Sequence, residues 1–358
     1  MLPAVARSAP QPRTAARVLI VDDSAVVRAV IGRVIDASAD FAVTGVATHV
    51  ADALRFLARE TVDIILLDIH LPGVDGISAL PDLIAAGGRA KVLIVSSAAA
   101  EGAATTVQAL AFGAADTLEK PIPGRLSAAF GATLLAKLAR LTQPAPLPAP
   151  ASAPAPRPVA PLRPARDAYD VVAIGASTGG IHALAQLLRE LPAAFTLPIL
   201  VTQHLPATFM PYYAAQLALL ADRPCDVATD HLRIRPGRLI VAPGDAHMRC
   251  VPIGEGGAAI RLSREKVPSG CMPSVDPMFA SVGATFGHRA IGVVLSGMGR
   301  DGEEGARTLR HAGAAVVVQD EASSVVWGMP GAVVQAGLAD AMLPPPAIGR
   351  LLAERRRP

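Results

Sequence analysis

The sequence predicts an α/β protein with two doubly wound parallel-sheet domains, joined by a linker rich in proline and alanine. Both halves alternate short apolar runs with segments of helical periodicity, the pattern of parallel strands covered by helices. Nine prolines among residues 144–164 separate the halves, because such a segment can neither continue a helix nor bury a core. Hydrophobic residues make up 51% of the chain but aromatic residues only 3%, so aliphatic side chains must build the cores, as they do in parallel sheets.

Five apolar runs in the first half predict five strands. They are Val18–Val21, Phe41–Val46, Ile64–Leu67, Val92–Val95 and the short Thr117–Leu118. Apolar residues at helical spacing predict a helix after the first strand, namely Val26, Val27, Val30, Ile31, Val34 and Ile35. This alternation predicts one parallel sheet with helices on both faces.

The second half repeats the pattern. Its predicted strands are Val171–Ile174, Ile199–Thr202, Leu239–Val241, Ile291–Leu295 and Ala315–Val318. Residues from about 222 to 275 are rich in turn signals and have little helical period. We therefore expect hairpins and loops added to the α/β core there.

Charge and composition argue against several classes of protein. The 33 basic and 30 acidic side chains nearly balance, and no stripe of aromatic and basic residues occurs, so nucleic acid is not an expected partner. No run of about 18 apolar residues occurs, so direct membrane insertion is not expected. Residues 1–16 lack the apolar core of a signal peptide and are expected to be a disordered tail.

The cysteines give a further constraint on location. Cys225, Cys250 and Cys271 are odd in number and show no C-x-x-C spacing. This pattern favours neither a disulfide framework nor a zinc site. It suits a reducing, cytoplasmic location.

Polar side chains follow the strands predicted in the first half. They are Asp22, Asp23, Asp68, Ser96 and Lys120. The carboxyl ends of parallel strands meet at one sheet edge, where ligands bind. Three carboxylates there repel each other unless a hard divalent cation such as Mg²⁺ binds them, and a lysine and a hydroxyl nearby would suit a phosphoryl group. Taken singly, each residue could be a helix cap or a turn residue, but their joint position favours a site.

Segments of residues 17–139 resemble a response-regulator receiver domain. The matching segments are Val18–Ser24, Leu67–Ile69, Leu71–Gly73, Asp75–Gly76, Ile94–Ser97 and Glu119–Pro121. Two positions depart from the family pattern. His70 stands where Glu, Met or Val is frequent, and Thr117 stands where an aromatic switch residue is usual.

This resemblance implies a flavodoxin-like fold in which a CheA-type histidine kinase phosphorylates Asp68. The implied Mg²⁺ ligands are Asp22, Asp23, Asp68 and the backbone carbonyl of His70. The implied holders of the phosphoryl oxygens are Ser96 and Lys120. The departure at Thr117 concerns how the signal is transmitted and not whether Asp68 accepts phosphate.

A glycine-rich turn, Gly175–Gly180, follows the first predicted strand of the second half. Its first five residues fit G-x-S-x-G, in which a strand-to-helix turn exposes a serine, here Ser177. A serine hydroxyl needs a base and an orienting acid to act as a nucleophile. His204 and Asp301 follow two other predicted strands, so the three side chains could meet above one sheet edge. Other candidates for the base are His182, His231, His247, His288 and His311. Other candidates for the orienting acid are Asp276 and Asp320.

A dinucleotide-binding loop is the weaker interpretation of this turn. The pattern is not G-x-G-x-x-G, because Ser177 occupies the second glycine position. The next strand ends in Gln203–His204 and not in the acid that would bind a ribose. A nucleotide-dependent oxidoreductase is therefore disfavoured.

Segments of residues 168–342 resemble the catalytic domain of the chemotaxis protein-glutamate methylesterases, the CheB family. They are Ile174–Gly180, Thr202–His204, Val241–Gly244 with His247, Pro273–Asp276, Ser296–Gly302, Gln319–Glu321 and Val326–Pro330. A receiver, a linker and this domain, in this order, form the full-length architecture of that family. The resemblance implies a linker over residues 140–167 and a Rossmann-like catalytic domain with added hairpins over 168–357.

The same resemblance implies a set of catalytic roles. Ser177 is the nucleophile, His204 the base and then the acid, and Asp301 the orienting carboxylate. The backbone N–H of Met298, with one from the Ser177–Thr178 turn, serves as an oxyanion donor. The implied reaction is hydrolysis of glutamate γ-methyl esters on methyl-accepting chemoreceptors, with methanol released and no cofactor for the esterase step.

Two further points follow from the resemblance. The same acyl transfer to water would deamidate receptor glutamine to glutamate. The chain departs from the family at Met272, where arginine is frequent, and over Met210–Leu217. These departures keep open the alternative of a signalling scaffold of the same fold with weak or no turnover.

Overall fold

The computed structural model describes residues 15–96, 100–120, 128–142, 169–254 and 256–354. These residues form two parallel sheets covered by helices and one separate antiparallel hairpin. The predicted fold class, two doubly wound α/β domains, is confirmed.

The first sheet lies in the first half of the chain. Its strands are β1 (Ala16–Val21), β2 (Phe41–Ala47), β3 (Ile64–Asp68), β4 (Lys91–Ser96) and β5 (Asp116–Glu119). Its helices are α1 (Ala25–Asp36), α2 (Val50–Leu57), α3 (Gly76–Gly87), α4 (Ala100–Ala111) and α5 (Ala128–Thr142). The strand order β2-β1-β3-β4-β5 is flavodoxin-like, and β3, with every residue buried, lies at its centre.

A tight turn brings α3 against the end of β3. Asp75 caps the helix by accepting hydrogen bonds from the N–H groups of Ile77 and Ser78. A Cβ atom at Gly76 would lie only 2.4 Å from the carbonyl oxygen of Asp68, so no side chain fits there. The helix therefore starts directly beside the edge of the sheet that carries Asp68.

The second half forms a larger sheet and the hairpin. Its strands are β6 (Val171–Ala176), β7 (Ile199–Gln203), β8 (Cys225–Val227), β9 (Leu239–Val241), β10 (His247–Ile253), β11 (Gly257–Ser263), β12 (Ala290–Val294), β13 (Ala315–Gln319) and β14 (Ala341–Leu343). Its helices are α6 (Gly180–Arg189), α7 (Met210–Ala221), α8 (Val275–Phe286), α9 (Glu303–His311), α10 (Gly328–Gln335) and α11 (Pro345–Glu354). Short 3₁₀ turns cover 207–209 and 287–289.

The order of the larger sheet determines where a site can form. Its strands run β14-β13-β12-β6-β7-β9-β8, all parallel, while β10 and β11 pair antiparallel outside it. Strand β6 is the first of this sheet in the sequence. Strands β7, β9 and β8 extend the sheet on one side of β6, and β12, β13 and β14 extend it on the other side. The crevice beyond the carboxyl ends of β12, β6 and β7 is thus the switch point at which parallel sheets bind ligands.

Two short strands were not predicted. Strands β8 and β14 have three residues each and pair at the two edges of the sheet. None of the residues in β8 is fully buried, so the strand carries little apolar signal in the sequence. The predicted hairpin between residues 222 and 275 is confirmed as β10–β11.

The two domains touch through α4 of the first and through α6, α7 and the 3₁₀ turn at 207–209 of the second. The Gly179 N–H, at the start of α6, donates to the carbonyl oxygen of Ala115 at 3.0 Å. The ring of His182 bonds the carbonyl of Ala111 through Nδ1 at 2.9 Å, and its Nε2 faces the amide nitrogen of Gln186 at 2.8 Å. The first domain therefore lies directly against the turn after β6.

The expected boundaries differ slightly from the described elements. Ala16, expected at the end of a disordered tail, begins β1, because its N–H bonds the carbonyl of Asp40. Residues 140–142, expected in the linker, form the last turn of α5, since Leu141 is buried in the core. The rest of the expected tail and linker, residues 1–14 and 143–167, lies outside the described residues. Within the described part, no helix is long and apolar enough to cross a bilayer.

Candidate active site

The turn after β6 presents Ser177 at the centre of the larger sheet. The Ser177 N–H donates to the carbonyl of Ser296 at 3.0 Å, and the amide of Gln203 donates to the Ser177 carbonyl at 2.9 Å. Gly179 adopts φ 76°, and a Cβ atom there would lie 2.5 Å from Val325. Neighbours on both sides therefore hold the serine turn in place.

His204 and Asp301 form the acid–base pair beside this turn. His204 follows β7, and its Nε2 lies 2.8 Å from Oδ2 of Asp301 in the loop after β12. Asp301 is 2% exposed and accepts two more hydrogen bonds, from the Ser274 hydroxyl at 2.5 Å and from the Val275 N–H at 2.7 Å. A buried carboxylate with three donors is well stabilised in its ionised form.

The ionisation of this pair follows from these contacts. Burial alone would raise the pKa of Asp301, but the hydrogen bonds from His204 and Ser274 outweigh it and lower that pKa. Burial alone would lower the pKa of His204, but hydrogen bonds with Asp301 and Cys271 raise it to about 9. Because Asp301 occupies Nε2, the nitrogen left for a second partner is Nδ1.

Ser177 and His204 open onto one cavity of about 440 Å³. The residues of the second half that line this cavity also include Thr178, Ser269, Cys271, Met272 and Met298. Across the part of the chain that the structure describes, no hydrogen bond links the Ser177 and His204 side chains. The structure thus brings all three predicted residues to one site and joins His204 to Asp301, while the serine contact remains open, as is common without a substrate.

The Met298 loop lies directly against the nucleophile. A Cβ atom at Gly297 would be 2.8 Å from the Cβ of Ser177. The loop is held by the Gly297 N–H, which donates to the carbonyl of Val326 at 3.0 Å. Among the described residues, the backbone N–H groups of Met298 and Thr178 donate no hydrogen bond, and both residues line the cavity.

Sequence reasoning missed the residues that hold Asp301 in place. Ser274 donates to Asp301, and the Ser274 N–H donates to Nδ1 of the buried His247 at 3.0 Å. Nε2 of His247 bonds the carbonyl of Glu265 at 2.9 Å, and burial lowers the pKa of His247, so its ring is neutral. Ser274 lies in the Pro273–Asp276 segment that resembles the family, but a serine in a loop does not by itself indicate a hydrogen bond to the acid.

The rival acids have other roles in the structure. Asp276 accepts hydrogen bonds from the N–H groups of Gly302 and Gly305 at 2.9 and 2.7 Å, and burial raises its pKa. It therefore holds the loop that carries Asp301. Asp320 accepts bonds from the N–H and the hydroxyl of Ser323, and among the described residues it has no bond to His204.

The polar residues of the first sheet also converge. Asp22, Asp23 and Asp68 place carboxylate oxygens within 4.8 Å of one another. Lys120 Nζ lies 2.5 Å from Oδ2 of Asp68 and 3.2 Å from Oδ2 of Asp22. The His70 N–H donates to Oδ1 of Asp68 at 3.0 Å.

Burial and the contacts of Lys120 shift the pKa values in this acidic pocket in opposite directions. Asp22 and Asp68 are 2% and 1% exposed. Burial raises the pKa of Asp22 although Lys120 opposes the shift. Burial lowers the pKa of Lys120, but its bond to Asp68 outweighs this and raises that pKa. Oδ2 of Asp22 is buried and, within the described residues, it contacts Lys120 at 3.2 Å without forming a hydrogen bond.

One residue of this pocket was not anticipated. The Ser96 hydroxyl lies 3.0 Å from the hydroxyl of Thr106, which is buried in α4. Thr106 sits in the middle of a helix, so no motif at a strand end pointed to it. The bond connects the pocket to the helix that contacts the second domain.

Fold and site together define a class of protein, a receiver domain followed by an α/β serine hydrolase domain. A family model of the response regulator receiver domain matches residues 18–129, and one of the CheB methylesterase matches residues 172–352. The chain belongs to the CheB methylesterase family.

Two curated relatives match this chain over most of its length, and one solved structure matches its second half. A Caulobacter vibrioides protein named protein-glutamate methylesterase/protein-glutamine glutaminase 2 is 43% identical over 95% of this chain and 99% of its own. A similarly named Azospirillum brasilense protein is 38% identical over 93% of this chain and 91% of its own. The crystal structure of the Thermotoga maritima CheB methylesterase catalytic domain matches with a TM-score of 0.50 and 33% identity, covering 52% of this chain and 98% of that one.

Proposed function

We propose that the protein is a phosphorylation-regulated protein-glutamate methylesterase acting on methyl-accepting chemoreceptors. It hydrolyses glutamate γ-methyl esters to glutamate and methanol, and it deamidates receptor glutamine to glutamate and ammonia. The observation that carries this proposal is the His204–Asp301 pair, at 2.8 Å, opening onto the same cavity as Ser177.

The first half of the reaction forms an acyl-enzyme. His204 takes the hydroxyl proton through Nδ1 as Ser177 Oγ attacks the ester carbonyl carbon. The N–H groups of Met298 and Thr178 stabilise the oxyanion, at roughly 3 kcal/mol for each donor. His204 then gives its proton to the leaving methoxide oxygen, and methanol departs.

The second half releases the product. A water molecule loses its proton to His204 and attacks the acyl carbon, and the collapse of the second oxyanion returns that proton to Ser177. Asp301 stabilises the imidazolium formed in both halves. With a glutamine side chain, ammonia leaves in place of methanol by the same proton transfers.

The receiver domain supplies the regulation. A CheA-type histidine kinase is the proposed phosphodonor, and Asp68 accepts the phosphoryl group. Asp22, Asp23, Asp68 and the His70 carbonyl would hold Mg²⁺, which supplies positive charge opposite the phosphoryl oxygens. The buried Oδ2 of Asp22, which contacts Lys120 but accepts no hydrogen bond in the described residues, supports this fit. Ser96 and Lys120 bind the phosphoryl oxygens.

Contacts between the domains suggest how this signal reaches the esterase. Leu110, Ala114, Ala115, Asp116, Lys137 and Arg140 of the receiver line the cavity that contains Ser177. We propose that the unphosphorylated receiver restricts this cavity. When Ser96 turns to a phosphoryl group it leaves Thr106, which frees α4 to move from α6. The three free cysteines suit the cytoplasm, where we propose that the protein acts.

Ser177→Ala tests the proposed function. Methanol release from a methylated receptor, and ammonia release from its glutamine form, should fall by about 10³-fold or more. Phosphorylation of Asp68 by a small-molecule phosphodonor should persist, which shows that the receiver is folded, and an unchanged circular-dichroism spectrum shows that the catalytic domain is folded too. Full activity in this variant would exclude the triad, and no turnover by the wild type would favour the scaffold alternative.

A further inference from the structure

A thiol lies beside the proposed base in the active-site cavity. The Cys271 Sγ lies within 4.8 Å of a ring nitrogen of His204, and Cys271 is a free cysteine. His204, Cys271 and Asp301 each place one donor atom within 4.8 Å of the other two. The proposed hydrolysis does not use this thiol, so its position calls for a separate explanation.

Separate parts of the fold position the three donors. His204 follows β7, Cys271 lies in the loop before α8, and Asp301 lies in the loop before α9. Asp301 is fixed by two donors besides His204, as described above. Donors that are held independently of one another need little reorganisation to bind an ion.

The donor set is that of a borderline-soft cation. Zn²⁺ prefers imidazole nitrogen and thiolate sulfur, accepts carboxylate oxygen, and binds all three at about 2.0–2.3 Å. Three protein ligands leave a fourth position open, and two of these three residues, His204 and Cys271, line the same cavity as Ser177. The acidic pocket of the receiver offers only oxygen atoms and suits the harder Mg²⁺, so the two clusters differ in chemical preference.

We propose that Zn²⁺ binds to His204, Cys271 and Asp301 and inhibits the esterase. Binding forms three coordinate bonds and releases the thiol proton and the ring proton to solvent, with no change of oxidation state. Inhibition follows because a metal-bound imidazole cannot become the imidazolium on which each acyl-transfer step depends. This consequence rests on the proposed function, whereas the binding of Zn²⁺ does not.

Zn²⁺ binding to the full-length protein tests the site directly. The metal is titrated against a chromophoric zinc chelator, with excess Mg²⁺ present to occupy the acidic pocket of the receiver. Cys271→Ser should weaken the binding of one Zn²⁺ per chain by about tenfold or more, since a ligand is lost. Cys225→Ser, which alters the half-buried cysteine of β8, is the matched control and should retain wild-type affinity. Equal affinity in wild type and Cys271→Ser would overturn the site.

A second measurement needs no variant. Saturating Zn²⁺ should protect Cys271 of the wild-type protein from iodoacetamide, as read by mass spectrometry of the peptide that contains it. An unprotected thiol contradicts the proposal even if Cys271→Ser fails to fold.

Inhibition is then measured by methanol release, with each protein compared to its own metal-free rate. Zn²⁺ should inhibit the wild type, a chelator should restore the rate, and Cys271→Ser should need about tenfold more Zn²⁺. Binding at Cys271 without inhibition would overturn the inhibitory role. If the metal-free wild-type protein does not hydrolyse the methyl ester, the proposed function is contradicted. The Zn²⁺ titration would still decide whether the zinc site exists.

Discussion

Asp301 depends on a neighbour that is not part of the proposed triad. The Ser274 hydroxyl donates to its Oδ1, while His204 and the Val275 N–H bind Oδ2. Both oxygens of a carboxylate that is only 2% exposed are therefore satisfied, which sets the rotation of the group as well as its charge. The fixed carboxylate of Asp301 in turn sets the orientation of the His204 ring through the bond to Nε2.

Ser274→Ala should lower both stability and turnover. It removes a hydrogen bond to a charged group, worth about 1.5–3 kcal/mol, and leaves one buried oxygen of Asp301 without its donor. We expect the free energy of unfolding to fall by about that amount and kcat to fall about tenfold or more. Denaturant unfolding and methanol release measure the two effects. Ser274→Thr retains the hydroxyl and should restore most of both, so equal losses in the two variants would contradict this role.

The pH dependence of hydrolysis should report the state of His204. The base must be neutral to accept the serine proton, and its pKa is raised to about 9. The value of kcat/KM should therefore rise with pH, reach half its maximum near pH 9 and level off above it. Because this folded-state pKa lies above the ordinary value of 6.5, the stability from charged His204 is complete below pH 6.5 and is lost as pH rises through about 9.

Asp301→Asn is the control for that profile. It removes the carboxylate that raises the pKa of His204, so the residual rate should begin to rise at lower pH. A rate that stays flat from about pH 7 to 9 in the wild type would contradict the assigned base.

At the scale of elements, the start of α6 has two roles. Gly179 adopts the left-handed conformation that exposes Ser177, and its N–H donates to the receiver's Ala115 carbonyl. One turn further along, His182 binds the carbonyl at the end of α4. The helix that carries the nucleophile turn is thus also the helix against which the receiver packs.

His182→Ala should raise the activity of the unphosphorylated protein. It removes one hydrogen bond between the domains, worth about 0.5–1.5 kcal/mol, which corresponds to an increase of roughly two- to tenfold. Methanol release without phosphodonor measures this effect. Gln186→Ala removes only the partner of His182 Nε2 and should cause a smaller increase. Unchanged basal activity in His182→Ala would show that this contact does not restrain the esterase.

At the scale of the whole molecule, regulation requires that the acidic pocket and the active site communicate. Asp68→Asn should abolish stimulation by a small-molecule phosphodonor, because the amide cannot accept the phosphoryl group. The measured quantity is the ratio of methanol release with and without phosphodonor, which should fall to about one. Asp52→Asn, in α2 of the receiver, is the matched control and should remain stimulated. Stimulation that persists in Asp68→Asn would place the switch elsewhere.

The elements that the sequence predicted best are those with continuous apolar runs. Strands such as Val171–Ala176 are buried throughout and follow directly from their composition. The edge strands β8 and β14 escaped prediction because a strand paired on one side only needs few apolar residues. The last turn of α5 escaped because its burial depends on long-range packing around Leu141.

The sequence by itself determined the two sheets and the residues at their strand ends, since short apolar runs and their polar ends are local patterns. That logic selected Ser177, His204, Asp301 and the acidic pocket as candidates, with other histidines and acids left as rivals. Only the tertiary structure decided which side chains support them, because Ser274, Thr106 and Cys271 reach their partners across 27, 10 and 67 residues of chain respectively. Such contacts depend on how loops from separate strands converge, and no local pattern records that convergence.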